Sequence, residues 1–411
     1  MLNRNFWFLW SNRVLTRLAY HITTFALLIW VFKLTESNIA VSLWVVIHFV
    51  ASVLLALVAG VAVDIFDRRK IMIWANLIWG VAALGFIWSE NSLPLILVFT
   101  FIIQGMDEFF IPSQNSALPQ IVKKGKNLLK ANSYFYLAGY AASFVGYILG
   151  GAVLRFFGYK WIFVLASALA FLGAFLTLPL PSLKVGGFFR NHRKFGEIIK
   201  ERLADQWRFL ADNPHVTSTL ILVAVTVSGG TGAAALAPGF AEQVLGIDAR
   251  DLSFIAVIPL ALGLTLGSLI LSRWGRIWEV WQSVLAFSVV LILLATSPVT
   301  RVFFVNHISI PQTFESVPFY SLFIAGFIFI LGLAASTVAI PIVTSLQRIT
   351  PGEHLGRTFG SGGILSAVFT TVFSLTFGAI ADIFTPAIPF VLIGVGGVAA
   401  SVWIRRSVVI K

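Results

Sequence analysis

Residues 38–70 read NIAVSLWVVIHFVASVLLALVAGVAVDIFDRRK. From Ile39 to Val63 no Asp, Glu, Lys or Arg interrupts the run, which then closes on Asp64, Asp67 and the basic triplet Arg68-Arg69-Lys70. A helix needs roughly 20 apolar residues to cross about 30 Å of hydrocarbon, so this segment is long enough to span a bilayer and stop at a charged surface. Similar runs recur along the chain, at approximately 6–32, 38–62, 71–89, 93–117, 131–154, 160–180, 214–240, 252–271, 279–297, 319–341, 357–381 and 386–404. Open sheet edges cannot be satisfied in lipid and the alternation of a barrel strand is absent, so the spans are helices. The expected fold is an all-α membrane protein with about twelve transmembrane helices in two six-helix bundles.

Composition agrees with that reading. The 411 residues are 58% hydrophobic and 11% charged, against about 45–50% and 25% in a soluble domain. The first run starts at Phe6 and holds Arg13, Arg17 and His21 with no small-residue cleavage site behind it, so it reads as a retained span and not a signal peptide. The absence of cysteine excludes disulfides, thiolate metal sites and cysteine nucleophiles. A net charge of +12 raises the question of nucleic acid, but the basic residues are dispersed over many loops and no nucleic-acid partner is expected. In the twelve-span arrangement 22 Lys and Arg fall on one side, 5 on the other, and Arg13 and Arg17 inside a span. The rich side is cytoplasmic by the positive-inside rule, which places both termini there, in a bacterial-type cytoplasmic membrane.

The longest polar interruption, from Pro181 to Pro214, divides the chain into an N-terminal bundle at 1–181, a linker at 182–213 and a C-terminal bundle at 214–411. Within the linker Ile199, Leu203, Trp207 and Leu210 recur at helical spacing opposite Lys200, Arg202, Asp205 and Arg208. That pattern reads as an amphipathic helix lying on an anionic inner leaflet, or as a solvated tether between the halves. The loop at roughly 298–318 reads as irregular and external.

The segment Gly60-Val-Ala-Val-Asp64-Ile-Phe-Asp67-Arg68-Arg69-Lys70 resembles the signature loop of the major facilitator superfamily, in which a glycine is followed four residues later by an aspartate and then by paired basic residues. Ile65 stands where the family usually has arginine, and Asp67 where it often has glycine. The resemblance implies that Gly60, Asp64, Arg68 and Arg69 form a conformational latch, with Asp64 facing a helix N-terminus. Physically, a glycine allows two helix backbones to approach, and a carboxylate suits the positive end of a helix dipole. Near Gly267, Arg273 and Arg276 the second half carries a weaker echo, consistent with an internal repeat. Gly146-Tyr147-Ile-Leu-Gly150-Gly151 resembles the glycine-rich segment of drug:proton antiporters, with Tyr147 at the proline position. Gln104-Gly105 resembles part of the fourth-helix motif, with Phe101 at its arginine position. The run from Phe110 through Pro112 to Pro119, followed by Ala131-Asn132, is similar to the branch that includes macrolide and siderophore efflux proteins.

Intramembrane ionisable residues cost about 2.5–3.5 kcal/mol each on insertion scales, so their positions carry information. Arg13, Arg17 and His21 are four apart and form one stripe on span 1. At about 1.5 Å per residue, Arg13 and Arg17 lie roughly 10 and 16 Å from the inner end. Asp107 and Glu108 on the antiparallel span 4 lie roughly 8–9 Å from the inner surface, in the same depth range. The resemblance places spans 1 and 4 on a central cavity, where an arginine–carboxylate pair is expected. Asp107 and Glu108 are about 100° apart on a helix, so one can pair while the other titrates. The competing reading is that the charges only lock the two helices together. In the second half, Gly229 and Gly230 interrupt span 7 as a gate or a close packing point.

The expected function is a secondary transporter working by alternating access, exporting an amphipathic small molecule in exchange for protons, as a monomer. An anionic solute or lysolipid held by Arg13 and Arg17 is the alternative. An intramembrane lipid enzyme and a non-transporting receptor are more remote. No nucleotide-binding loop, His-Glu-x-x-His metal spacing or nucleophile arrangement is present, so no cofactor, metal or enzymatic chemistry is expected.

Overall fold

The computed structural model describes residues 3–89, 92–122, 126–183, 205–274, 279–296 and 319–406. Helices α1 (Arg4–Thr35), α2 (Asn38–Ile65), α3 (Arg68–Gly85), α4 (Leu93–Val122), α5 (Lys126–Phe157) and α6 (Tyr159–Thr177) form the first series. A short helix at 205–212, α7, precedes the second. That series is α8 (Pro214–Gly239), α9 (Ile258–Trp274), α10 (Val280–Ala295), α11 (Phe319–Ile349), α12 (Gly352–Ile383) and α13 (Ala387–Arg406). No strand occurs among the described residues.

Eleven of these helices are long and apolar enough to cross a membrane. The twelfth expected span, α10, has 16 residues in the described part. Its expected end at 297, like the expected external loop, lies outside the described residues. Leucine-, valine- and phenylalanine-rich faces remain exposed along most of the helices, for example Val53, Leu54 and Val58 on α2 and Leu262, Leu266 and Leu269 on α9. An apolar surface of that extent suits lipid as its solvent.

The chain divides into two bodies. The first comprises residues 1–36 and 44–192, and the second residues 37–43 and 193–411. The opening turns of α2 therefore group with the second body, although the sequence places all of α2 in the N-terminal bundle. Within the first body α1 packs on α5 and α6, and α3 on α4 and α6; within the second, α9 packs on α11, α10 on α11 and α13, and α8 on α12.

The linker expectation divides. Ile199 and Leu203 lie outside the described residues. Leu210 is buried with Val216, Leu220 and Leu346, whereas Trp207 is exposed. The two do not share a contact face. Helix α7 instead turns Gln206, Phe209 and Leu210 inward, with Gln206 donating to Thr358 and Phe209 stacked on His354.

Close approach of α1 and α5 depends on glycine. A Cβ at Gly146 would sit 2.7 Å from the Cβ of His21, and one at Gly150 3.3 Å from the carbonyl of Ile22. Gly151 is also buried. Gly146→Ala should therefore push the two backbones apart and cost about 1–3 kcal/mol, read as a lowered melting temperature in detergent. An unchanged melting temperature would show that the helices separate at no cost.

Candidate functional site

The charged stripe predicted on α1 and the acid pair predicted on α4 meet. Arg17 Nη2 lies 3.3 Å from Asp107 Oδ2, with both side chains largely withdrawn from solvent. The neighbouring Glu108 points elsewhere: it accepts from the Ser52 hydroxyl of α2 and from Gln104 Nε2 at 3.1 Å. Among the described residues no Lys, Arg or His lies within ion-pair distance of Glu108. The 100° between consecutive helical residues sends one carboxylate to a cation and the other to neutral donors.

Around this pair the stripe continues in two directions. Arg17 lies over the Tyr20 ring, 5.3 Å from its centroid. His21 Nε2 is 2.7 Å from the Ser143 hydroxyl of α5, and its ring stands 5.1 Å from those of Tyr20 and Tyr147. Tyr147, the residue at the family's proline position, thus completes an aromatic lining between α1 and α5. Toward the helix start, Arg13 Nη1 donates to Gln114 Oε1 at 3.0 Å and to Asn115 Oδ1 at 3.4 Å, and its guanidinium lies 4.4 Å from the Phe135 centroid.

Asn12 was not singled out by the sequence. It is fully buried, donates to the Gly173 carbonyl and the Thr177 hydroxyl of α6, and accepts from Gln114 Nε2 of α4. One neutral side chain so ties three helices beneath the charged stripe. Its only sequence signal is a polar residue between Ser11 and Arg13 in an otherwise apolar run.

The signature loop is organised differently from the expectation. The side chain of Asp64 lies outside the described residues. A Cβ at Gly60 would meet nothing within 4 Å among the described residues, so none of them approaches closely at that glycine. Asp67 caps α3 instead: its carboxylate accepts from the backbone N–H of Arg69 and of Leu183, each at 3.0 Å, and from the Ser182 hydroxyl at 2.7 Å. Arg68 donates to the Ser116 carbonyl at 3.1 Å, and Arg69 to the Leu178 carbonyl at the end of α6. The basic pair therefore holds the last part of α4 and the end of α6. A cavity of about 600 Å³ opens beside this loop, lined by Phe66, Asp67, Lys70, Trp74 and Phe109 among others, but by none of the charged pair.

Burial works to raise the pKa of Asp67, but the hydrogen bonds from Leu183, Ser182 and Arg69, with the Arg69 charge, outweigh it and hold the carboxyl below its ordinary value. A depressed folded-state pKa contributes stability that is complete above the unfolded value, about 4, and lost as pH falls through the folded one. Asp67→Asn should accordingly melt earlier than wild type at neutral pH, with the difference vanishing as pH drops below about 4. A difference that persists unchanged into acid would mean that the charge of Asp67 is not what stabilises the loop.

In the second body a Cβ at Gly229 or Gly230 would meet nothing within 4 Å among the described residues, and none of these supports the close-packing reading of that pair. Its buried polar contact is Ser228, which donates to the Ser366 carbonyl of α12.

The sequence profile of the Major Facilitator Superfamily matches residues 9–310. The chain belongs to the Major Facilitator Superfamily. Its relatives include a Bacillus subtilis protein named as the bacilysin exporter BacE, 27% identical over 223 residues, which are 53% of each chain. The chain spans about half the length of that relative in the match. Macrolide efflux protein A of Streptococcus pyogenes is 23% identical over 375 residues, 88% of this chain and 85% of that one. Quinolone resistance protein NorB of Staphylococcus aureus is 29% identical over 94 residues, 23% of this chain and 20% of that one. Among solved structures, nucleoside transporter NupG superposes with a TM-score of 0.73 at 13% identity over 99% of this chain and 100% of that one. A D-xylose-proton symporter gives 0.70 at 12% identity over 97% and 96%. These superpositions show the shared fold. Membership accords with the eleven helices long and apolar enough to cross a membrane.

Proposed function

We propose that this chain is a proton-coupled exporter of an amphipathic small molecule, working by alternating access. The observation that carries the reading is the unequal treatment of two adjacent acids: Asp107 is neutralised by Arg17, while Glu108 has only the neutral donors Ser52 and Gln104 among the described residues. Exchanging a proton between the two sides of the membrane at a carboxylate that no cation neutralises is the elementary act of coupling. The Tyr20, His21 and Tyr147 rings along the Arg17 stripe supply apolar and polar surface together, as an amphipathic cargo needs. The efflux relatives support export as the direction.

The charge distribution supports a topology with both termini in the cytoplasm and the basic loops facing an anionic leaflet. An anionic substrate is disfavoured, because Arg17 already carries its counter-charge in Asp107. Everted vesicles test the reading with three radiolabelled probes, a macrolide, a quinolone and bacilysin. Uptake of at least one should rise several-fold when the vesicle interior is acidified, and collapse when an ionophore removes the gradient. Gradient-independent uptake of every transported probe would contradict proton coupling.

A further inference from the structure

The first turn of α2 is held by a residue 344 positions away. Asp382, at the end of α12, accepts from the backbone N–H of Asn38 at 2.6 Å and of Ile39 at 3.1 Å. It also accepts from the Asn38 side chain at 2.9 Å and from the Ser37 hydroxyl at 2.5 Å. Asn38 reaches Gln243 as well, at 3.4 Å. No lysine or arginine takes part among the described residues, so the positive charge that Asp382 meets is the amino end of α2 itself.

The seat of this turn is shaped for it. A Cβ at Gly239 of α8 would collide with the Asn38 side chain. A Cβ at Gly378 of α12 would collide with the Ser42 hydroxyl and lie 3.0 Å from the Asn38 carbonyl. Asn38 and Ser42 are fully buried there.

A helix start is usually capped by its own flanking residues. Here Ser37 already serves Ala40 locally, at 3.3 Å, and the remaining amides are given to a distant carboxylate. The end of α2 is therefore capped by Asp382 only while it is docked on α12. Helix α2 nevertheless runs unbroken from Asn38 to Ile65, with residues 37–43 grouping with the second body and those from Trp44 onward with the first. Between Asn38 and Ala59 it contains neither glycine nor proline, the usual sites of a helix bend. Helix α2 therefore has no built-in hinge between its docked turn and the rest of its length.

We propose that Asp382 is a conformational clasp: it holds the first turn of α2 on the second body in one state of the transport cycle and releases it in the other. The inference rests on the alternating-access reading. Its chemistry suits reversal, since no strong ion pair has to be broken and the freed amides can bond to water.

The cysteine-free chain is a ready background for the test. Ser42→Cys reports on the docked turn, and Ser374→Cys, buried elsewhere on α12, reports on general loosening. Both are labelled in proteoliposomes with a membrane-impermeant maleimide, with Asp382 intact and in the Asp382→Ala and Asp382→Asn variants. The clasp predicts at least a tenfold faster reaction at Ser42→Cys in Asp382→Ala, a smaller increase in Asp382→Asn, and no change at Ser374→Cys. Equal labelling of Ser42→Cys in all three backgrounds overturns the proposal, and so does parallel acceleration at both cysteines. Probe flux measured on the same wild-type liposomes separates the two ideas: absent flux would sink the transporter reading, while the labelling still decides whether Asp382 holds α2.

Discussion

Glu108→Gln abolishes accumulation driven by a pH gradient, by at least tenfold, while substrate exchange across the membrane at equal pH on both sides persists near the wild-type rate. Glutamine keeps the volume and hydrogen-bonding capacity that Ser52 and Gln104 meet in the native protein, but it cannot take up or give back a proton. Exchange needs the cavity to open alternately without net proton movement, so it survives. Asp107→Asn supplies the contrast. It removes the partner of Arg17 and leaves an uncompensated cation in the span, so its defect should appear in stability and in exchange as well as in gradient-driven flux. If Glu108→Gln still concentrates the probe in response to a pH gradient, Glu108 is a structural acid and coupling lies elsewhere.

The second large effect is thermodynamic. Arg17→Ala alone strands Asp107 in a buried position and should cost about 3–5 kcal/mol, whereas Arg17→Ala with Asp107→Asn avoids the unpaired charge and should recover a substantial part of that loss. Combined with Glu108→Gln, Arg17→Ala should be additive, because Glu108 has no contact with the guanidinium. Denaturation of the purified protein in one detergent, for the three single and two double variants, gives both cycles. Coupling of Arg17 to Glu108 in place of Asp107 would contradict the pairing described above.

Much of this arrangement was legible in the sequence, for identifiable reasons. Apolar runs of span length are imposed by the bilayer, so the helices declare themselves. The i, i+4 spacing of Arg13, Arg17 and His21 and the depth match with Asp107 and Glu108 follow from helical rise alone. Which acid pairs depends on the rotation of α4, and no spacing rule records that.

Other features stayed hidden because their signals are weak or misleading. Asn12 carries no charge, so nothing marked it as the junction of three helices. The signature glycine suggested close packing at Gly60, yet the close approaches that need glycine lie elsewhere, at Gly146, Gly150, Gly239 and Gly378 among others. Arg68 and Arg69 drew notice as basic residues of the signature loop, and nothing in their spacing said that they give hydrogen bonds to carbonyls of α4 and at the end of α6. Asp382 sits just past the apolar core of its span, where an acid attracts no notice, and its partner lies more than three hundred residues earlier in the chain.

The central claim is that cargo and proton movements are linked through Glu108. Purified protein in liposomes carrying an internal pH-sensitive dye, loaded with the probe that the vesicle assay identifies, reports both movements at once. Releasing the probe down its own gradient should change internal pH in the wild type and leave it constant in Glu108→Gln, with probe exchange intact in both. Probe release by the wild type with no change in internal pH would contradict the account.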